Sequence, residues 1–137
     1  MGEGRLVAGL GCTRAATAAE IVALVEAAIG MMGADRGALV CVATTVRRRD
    51  HAGLRAAAER LGVPLRCLDD AALAAQEGRL ANPSAVVAGH TGLGGIAEAA
   101  ALAAGALVLG KQVRGGVTCA LAQVDAGFDV EGFGVPA

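Results

Sequence analysis

Arg5-Leu-Val-Ala-Gly9-Leu-Gly11-Cys12-Thr-Arg14-Ala-Ala-Thr17-Ala-Ala-Glu20 is the stretch whose reading decides the fold. It starts as a short apolar run of strand formers and turns at a Gly-x-Gly. A helix then opens, with Thr17 as its N-cap and Glu20, three residues on, as the capping-box partner. Strand, tight loop and helix N-terminus in that order leave unpaired backbone N–H groups and the positive end of a helix dipole facing one place, which favours an anion. Arg14 adds a full charge, so Gly9, Gly11, Cys12 and Arg14 are candidates for holding a carboxylate or phosphate. The alternative is a turn in which the glycines only permit the bend and Arg14 is solvated. The pattern is not a dinucleotide fingerprint, because Arg14 stands where a third glycine belongs, and no Gly-Lys-Ser/Thr triplet follows to make a P-loop.

Working outward, Ile21, Leu24, Val25, Ala28 and Ile29 recur at helical steps, predicting a helix over 17–33 that Gly30 and Gly33 close. The apolar run 37–43 suits a strand covered on both faces. Asp50 is the expected N-cap of a helix that carries Leu54, Ala57, Ala58 and Leu61 inward and stops at Gly62. Residues 63–68 read as a strand near a sheet edge, since Pro64 cannot donate to a ladder. Asp69 and Asp70 cap a short helix, and Asn82-Pro83-Ser84 signals another helix start. A glycine-rich loop over 89–95 feeds an alanine-rich helix from Ile96 that ends at Gly105. Strands at 106–109 and 117–122, joined by a charged turn, form a hairpin. The expectation is a three-layer α/β/α domain with a mostly parallel five-stranded sheet and one antiparallel C-terminal hairpin, occupying 1–124, with 125–137 a Gly-rich tail.

Composition narrows the class. The 137 residues suit one domain, and with 55% hydrophobic residues but no Trp, no Tyr and two Phe, the core must be built from Ala, Val, Leu and Ile. A net charge of −1 argues against a nucleic-acid partner. Cys12, Cys41, Cys67 and Cys119 show no paired spacing, so neither a disulfide framework nor a metal site is indicated, and no cofactor motif is read. The apolar stretches are interrupted before they could span a bilayer, so no membrane partner is expected and a reduced cytoplasm is the simplest compartment.

In an open α/β sheet, ligands bind beyond the C-terminal ends of the strands. The loops 9–14, 44–49 and, with it, 89–95 fall there, and Arg14, Thr44, Thr45 and Arg47 would line a positive cleft suited to a ligand with several carboxylates. A solvated turn is the other reading of Arg47–Arg49. His90 offers a general acid or base, with a surface histidine as the alternative. Cys12 beside a helix N-terminus is either an activated thiol or a structural one. Glu98, on a closely packed helix face, needs a partner such as Lys111 or a loop N–H, unless it is an exposed first-turn acid.

The ordered set Gly9-Leu-Gly11-Cys12-Thr-Arg14-Ala-Ala-Thr17, Gly53-Leu54 with Leu61-Gly62-Val-Pro64-Leu, Pro83-Ser84-x-x-Val87, Gly92 with Ile96-Ala-Glu98-Ala-Ala-Ala-Leu102, and Lys111 with Gly116-Val-Thr118-x-Ala120 resembles the CobE/CbiG C-terminal domain family of cobalamin biosynthesis. Arg47–Arg49 stand where that family usually has a lysine, and Ala52 where an acidic residue is common. The resemblance implies a cytoplasmic protein of the corrin-ring pathway. In longer members this domain is part of a cobalt-precorrin hydrolase that opens a ring-A lactone and releases acetaldehyde. A chain that starts at the domain points to the stand-alone type. The first expectation is auxiliary binding of a corrinoid or precorrin, with Gly11, Cys12 and Arg14 on one carboxylate, Thr44 and Arg47 on a second, and Glu98, Lys111 and Thr118 in support. The alternative is a lactone hydrolase, alone or with a partner subunit, using Glu98 or His90 as base. Other cobalamin-biosynthesis enzymes are the implied protein partners.

Overall fold

The computed structural model describes residues 5–76 and 93–137. The opening stretch forms strand β1 (Arg5–Cys12) and helix α1 (Ala18–Met31). The capping box closes as its sequence demands: Thr17 Oγ1 accepts from the Glu20 N–H at 3.2 Å, and the Thr17 N–H donates to Glu20 Oε1 at 2.9 Å. β2 (Leu39–Thr45) follows, then a short 3-10 turn over Val46–Arg48 and helix α2 (Ala52–Leu61). His51, not Asp50, is the N-cap of α2, because the 3-10 turn carries the chain one residue further before the helix opens. Gly62 ends α2 in the left-handed region, at a φ of 75°. β3 (Leu65–Leu68) and the short helix α3 (Asp70–Ala74) come next. After the undescribed 77–92, which include the expected helix start at 82–84 and His90, helix α4 (Leu93–Ala104) opens three residues before Ile96. β4 (Ala106–Arg114), β5 (Val117–Val124) and β6 (Val135–Pro136) complete the chain. Most of the expected charged turn is therefore strand. Lys111 and Arg114 sit on an edge strand, where charges guard the unpaired side.

The sheet has six strands in the order β4-β5-β1-β2-β3-β6, which corrects the expected mostly parallel, five-stranded arrangement. β1–β2 and β2–β3 are parallel, while β1–β5, β4–β5 and β3–β6 are antiparallel, so antiparallel pairings are the majority. Two placements make the difference. The hairpin forms as expected, but β5 inserts its antiparallel strand beside β1 in the middle of the sheet. The Gly-rich tail then supplies β6, which pairs with β3 through Cys67↔Val135 and Arg66↔Pro136. Buried Arg66 fixes the tail by donating to the carbonyls of Phe133 at 2.8 Å, Glu131 at 2.7 Å and Gly134 at 3.3 Å. The rings of Phe128 and Phe133 stack at a tilt beside it, with centroids 5.3 Å apart.

Alternation along β1 sorts the layers. Leu6, Ala8, Leu10 and Cys12 join Ile21, Leu24 and Val25 of α1 and Leu54 and Ala57 of α2 on one face. Val7, with Cys41 and Ala43 of β2, meets Ala99, Ala100 and Leu102 of α4 and Leu73 of α3 on the other. α4 lies unusually low. A Cβ on Gly9 would stand 2.0 Å from the Ala97 carbonyl oxygen and 2.7 Å from the Ala101 nitrogen, so the helix backbone rests directly on the strand. Alanines at 97, 101, 120 and 122 line this contact and leave room for it.

Since helix backbone cannot yield as a side-chain tip can, Gly9→Ala is expected to destabilise the fold by at least about 2 kcal/mol. Urea unfolding checks this, as a fall in midpoint at an unchanged m-value.

Candidate functional site

The C-terminal end of β1 is the most heavily braced piece of backbone on this rim. Four successive carbonyls, those of Leu10, Gly11, Cys12 and Thr13, each accept from a side chain of another segment. Thr44 Oγ1 donates to Leu10 O at 2.8 Å from β2, and Thr118 Oγ1 to Gly11 O at 3.4 Å from β5. Arg48 Nε donates to Cys12 O at 3.1 Å. His51 Nδ1 accepts from the Leu54 N–H at 3.1 Å, which places the ring proton on Nε2 and makes Nε2 the donor to Thr13 O at 2.9 Å. The Thr13 N–H donates to Gly116 O at 2.9 Å, tying the loop to the β4–β5 turn, and the Ala16 N–H closes onto Thr13 O at 3.2 Å.

The next two residues differ. Arg14 and Ala15 are exposed, and among the described residues no acceptor meets their backbone N–H groups. Nor does any carboxylate of the described residues pair with the Arg14 guanidinium. Each carbonyl from Leu10 to Thr13 thus has a side-chain donor, while the N–H groups of Arg14 and Ala15 stay exposed directly before the positive end of α1.

The register of β1 with β5 and β2 puts several other predicted residues at this rim. Thr44 is fully buried, and its hydroxyl is a strand-to-strand brace. Arg47, just beyond, is exposed and holds Asp70 at the start of α3 through two hydrogen bonds, one of 3.1 Å from Nε to Oδ1 and one from Nη2 to Oδ2. Those bonds hold the Asp70 carboxyl below its ordinary range and raise Arg47 above its own. The Cys12 thiol points into the core, and burial pushes it up against the opposing pull of Arg48, so this residue serves the rim through its carbonyl. Gly9 lies further back along β1, under α4, where it sets packing.

Glu98 and Lys111 form a second feature behind the rim. β4 carries register shifts between Leu107 and Leu109 and between Leu109 and Gln112, and the backbone N–H of Lys111 donates to Glu98 Oε2 at 2.8 Å. A fully enclosed carboxylate is costly unless hydrogen-bonded, and the bulged strand supplies the bond. Glu98 is therefore a fixed internal brace for β4, sealed from solvent. Arg48 lies in the 44–49 loop expected at this rim, but its framing bond, and the membership of His51 and Asp70, carry no mark in the sequence. His51 three residues before Leu54 is a capping spacing, but histidine is a rare N-cap. Among the described residues no cluster of His, Cys, Asp and Glu gathers as a metal site, and no helix is long and apolar enough to cross a membrane.

Fold and rim together define a mixed-sheet α/β fold with a braced loop, its outer N–H donors exposed, at the C-terminal rim of its central parallel strands. The chain belongs to the family described as cobalamin synthesis G C-terminus, whose match covers residues 6–122, and it is a cobalamin-biosynthesis protein of the CobE/CbiG C-terminal type. It is 41% identical over 121 residues to Protein CobE of Sinorhizobium sp, covering 85% of this chain and 79% of that one. The crystal structure of CobE, a protein from the cobalamin (vitamin B12) biosynthetic pathway, superposes with a TM-score of 0.79 at 37% identity, over 89% of this chain and 92% of the other. The cobalamin biosynthesis protein chiG from Agrobacterium tumefaciens str. C58 gives a TM-score of 0.63 at 32% identity, over 88% and 98% of the two chains.

Truncating the brace tests its structural role. Glu98→Ala removes the acceptor of the part-buried Lys111 N–H and leaves a gap where the enclosed Glu98 side chain stood, and a loss of about 2 to 3 kcal/mol is expected. Glu98→Gln, which keeps a carbonyl oxygen, is expected to lose about half as much in the same denaturant titration.

Proposed function

We propose that this chain is an auxiliary binder of a polycarboxylate corrinoid or precorrin intermediate, held at the rim of β1 and β2. One observation carries the reading: the loop 10–15 has every carbonyl from Leu10 to Thr13 occupied by a donor, while the N–H groups of Arg14 and Ala15 and the Arg14 side chain stay open. Such a surface attracts carboxylates. The macrocycles of this pathway carry acetate and propionate arms, which match it. Family membership supports the same assignment.

In this reading the Arg14 guanidinium, with the open N–H groups of Arg14 and Ala15, takes one arm, and Gly11 and Cys12 form the braced strand end behind them. Arg47 takes a second by exchanging Asp70 for a ligand carboxylate, a trade of one surface ion pair for another at little cost. Thr44, Thr118, Glu98 and Lys111 hold the strands beneath, and Gly9 seats α4. The unit that binds is the domain over 1–124, with 125–137 closing the β3 edge, and it acts in the cytoplasm among other cobalamin-biosynthesis enzymes that make and consume the intermediate. The hydrolase alternative draws no support from Glu98, which is enclosed and bonded, and His90 lies outside the described residues.

Titration with carboxylate-bearing corrin intermediates, followed by the macrocycle's visible spectrum against a fully amidated control, tests the reading. Carboxylate-dependent binding without turnover is expected; equal binding of the control, or none of either, overturns it, and acetaldehyde release favours the hydrolase. Arg14→Ala should weaken binding about tenfold and flatten its salt dependence, as loss of a charge-assisted contact does. Asp70→Asn should instead tighten binding about twofold to threefold by freeing Arg47, given the small worth of an exposed ion pair.

A further inference from the structure

We infer that His51 is the positioning residue of the 10–15 loop, a role that rests on the binding reading above and adds a determinant to it. Its ring joins two segments far apart in sequence through opposite polarities: Nδ1 accepts from Leu54 to cap α2, and Nε2 donates to Thr13 O. The capping bond fixes the ring's tautomer, so the cap itself guarantees that a proton faces the loop. The first turn of α2 is pressed against that loop as well. A Cβ on Gly53 would stand 2.6 Å from Ala16 O and 2.9 Å from His51 Cε1. Thr13 O is the hinge of the turn, because it also receives the Ala16 N–H, and Arg14 and Ala15 lie between those two residues. Fixing that carbonyl fixes the direction in which the two open N–H groups point. His51 touches no ligand in this scheme and acts through Thr13.

Asparagine separates the two duties of the ring. It is among the best N-caps, so His51→Asn keeps the start of α2, but its side chain is too short to reach Thr13 as well. The variant should therefore unfold at nearly the wild-type midpoint. It should lose about tenfold of the amide-exchange protection at Thr13 and Ala16 while keeping that of Leu54. It should also bind the carboxylate-bearing corrin about threefold to tenfold more weakly, the range expected for one hydrogen bond. His51→Ala removes the cap too and should unfold at a lower midpoint than His51→Asn. Wild-type exchange at Thr13 and Ala16 in His51→Asn overturns the inference. So does slackened exchange with undiminished affinity, which would make the clamp structural only. If the wild-type protein itself fails to bind, the proposed function falls, while the exchange at Thr13 and Ala16 still decides whether His51 holds the loop.

Discussion

The direct seating of the α4 backbone on Gly9 is the constraint on which the rest of this structure depends. A helix that close to a strand has no room for large side chains between them, so both surfaces are alanine, at 97 and 101 on the helix and at 120 and 122 on β5. Close packing of small residues gains dispersion over many atom pairs, at the expense of any tolerance for an added methyl group. The same approach explains how a carboxylate can be sealed on α4. Glu98 is carried so near β4 that its side chain reaches the backbone of a bulged strand, and the Lys111 N–H meets it there. Packing thus decides the polar chemistry of the interior.

At the other end of β1 the order is reversed, and polar chemistry decides the shape. The pairing of β1 with β2 ends at Gly9↔Ala43 while its pairing with β5 runs on to Cys12, and backbone carbonyls at such a strand end must be satisfied. Here that is done by side chains from β2, β5 and the 46–51 segment, one carbonyl each from Leu10 to Thr13. The result has a direction: acceptors are consumed within the protein, donors remain on the surface. On the proposed reading, backbone dipoles held in that way would need no reorganisation to meet a ligand carboxylate.

What the sequence disclosed follows the range of the interactions involved. The opening strand, its turn and the Thr17–Glu20 box depend on neighbours within a few residues, and they stand as read. The hairpin of β4 and β5 is local too. Its docking beside β1 is a long-range choice with no local mark, and that choice turned the expected parallel sheet into a mixed one. β6 is two residues long, too short for any periodicity; it is held by its pairing with β3, and Arg66 fixes the segment just before it through three carbonyls. At the rim the residue types were legible and their duties were not. A threonine at a strand end looks alike whether its hydroxyl serves a ligand or, as with Thr44, a neighbouring strand. The need of Glu98 for an N–H could be argued from burial alone, whereas the bulge that presents the N–H could not.

The rim's arginines are committed to different degrees, and this grading bears on what the site would select. Arg48 is part of the frame, its Nε bound to the Cys12 carbonyl. Arg47 is held by a carboxylate that a ligand carboxylate could replace, and Arg14 has no acid partner among the described residues. On the proposed reading, a ligand with one carboxylate gains a single exposed contact, which water and salt reduce to little. A macrocycle whose arms reach Arg14 and Arg47 together makes the second contact within the same complex, where effective concentration replaces bulk concentration. Selectivity would then come from the spacing of carboxylates around the ring, read by a loop stiff enough to keep that spacing constant.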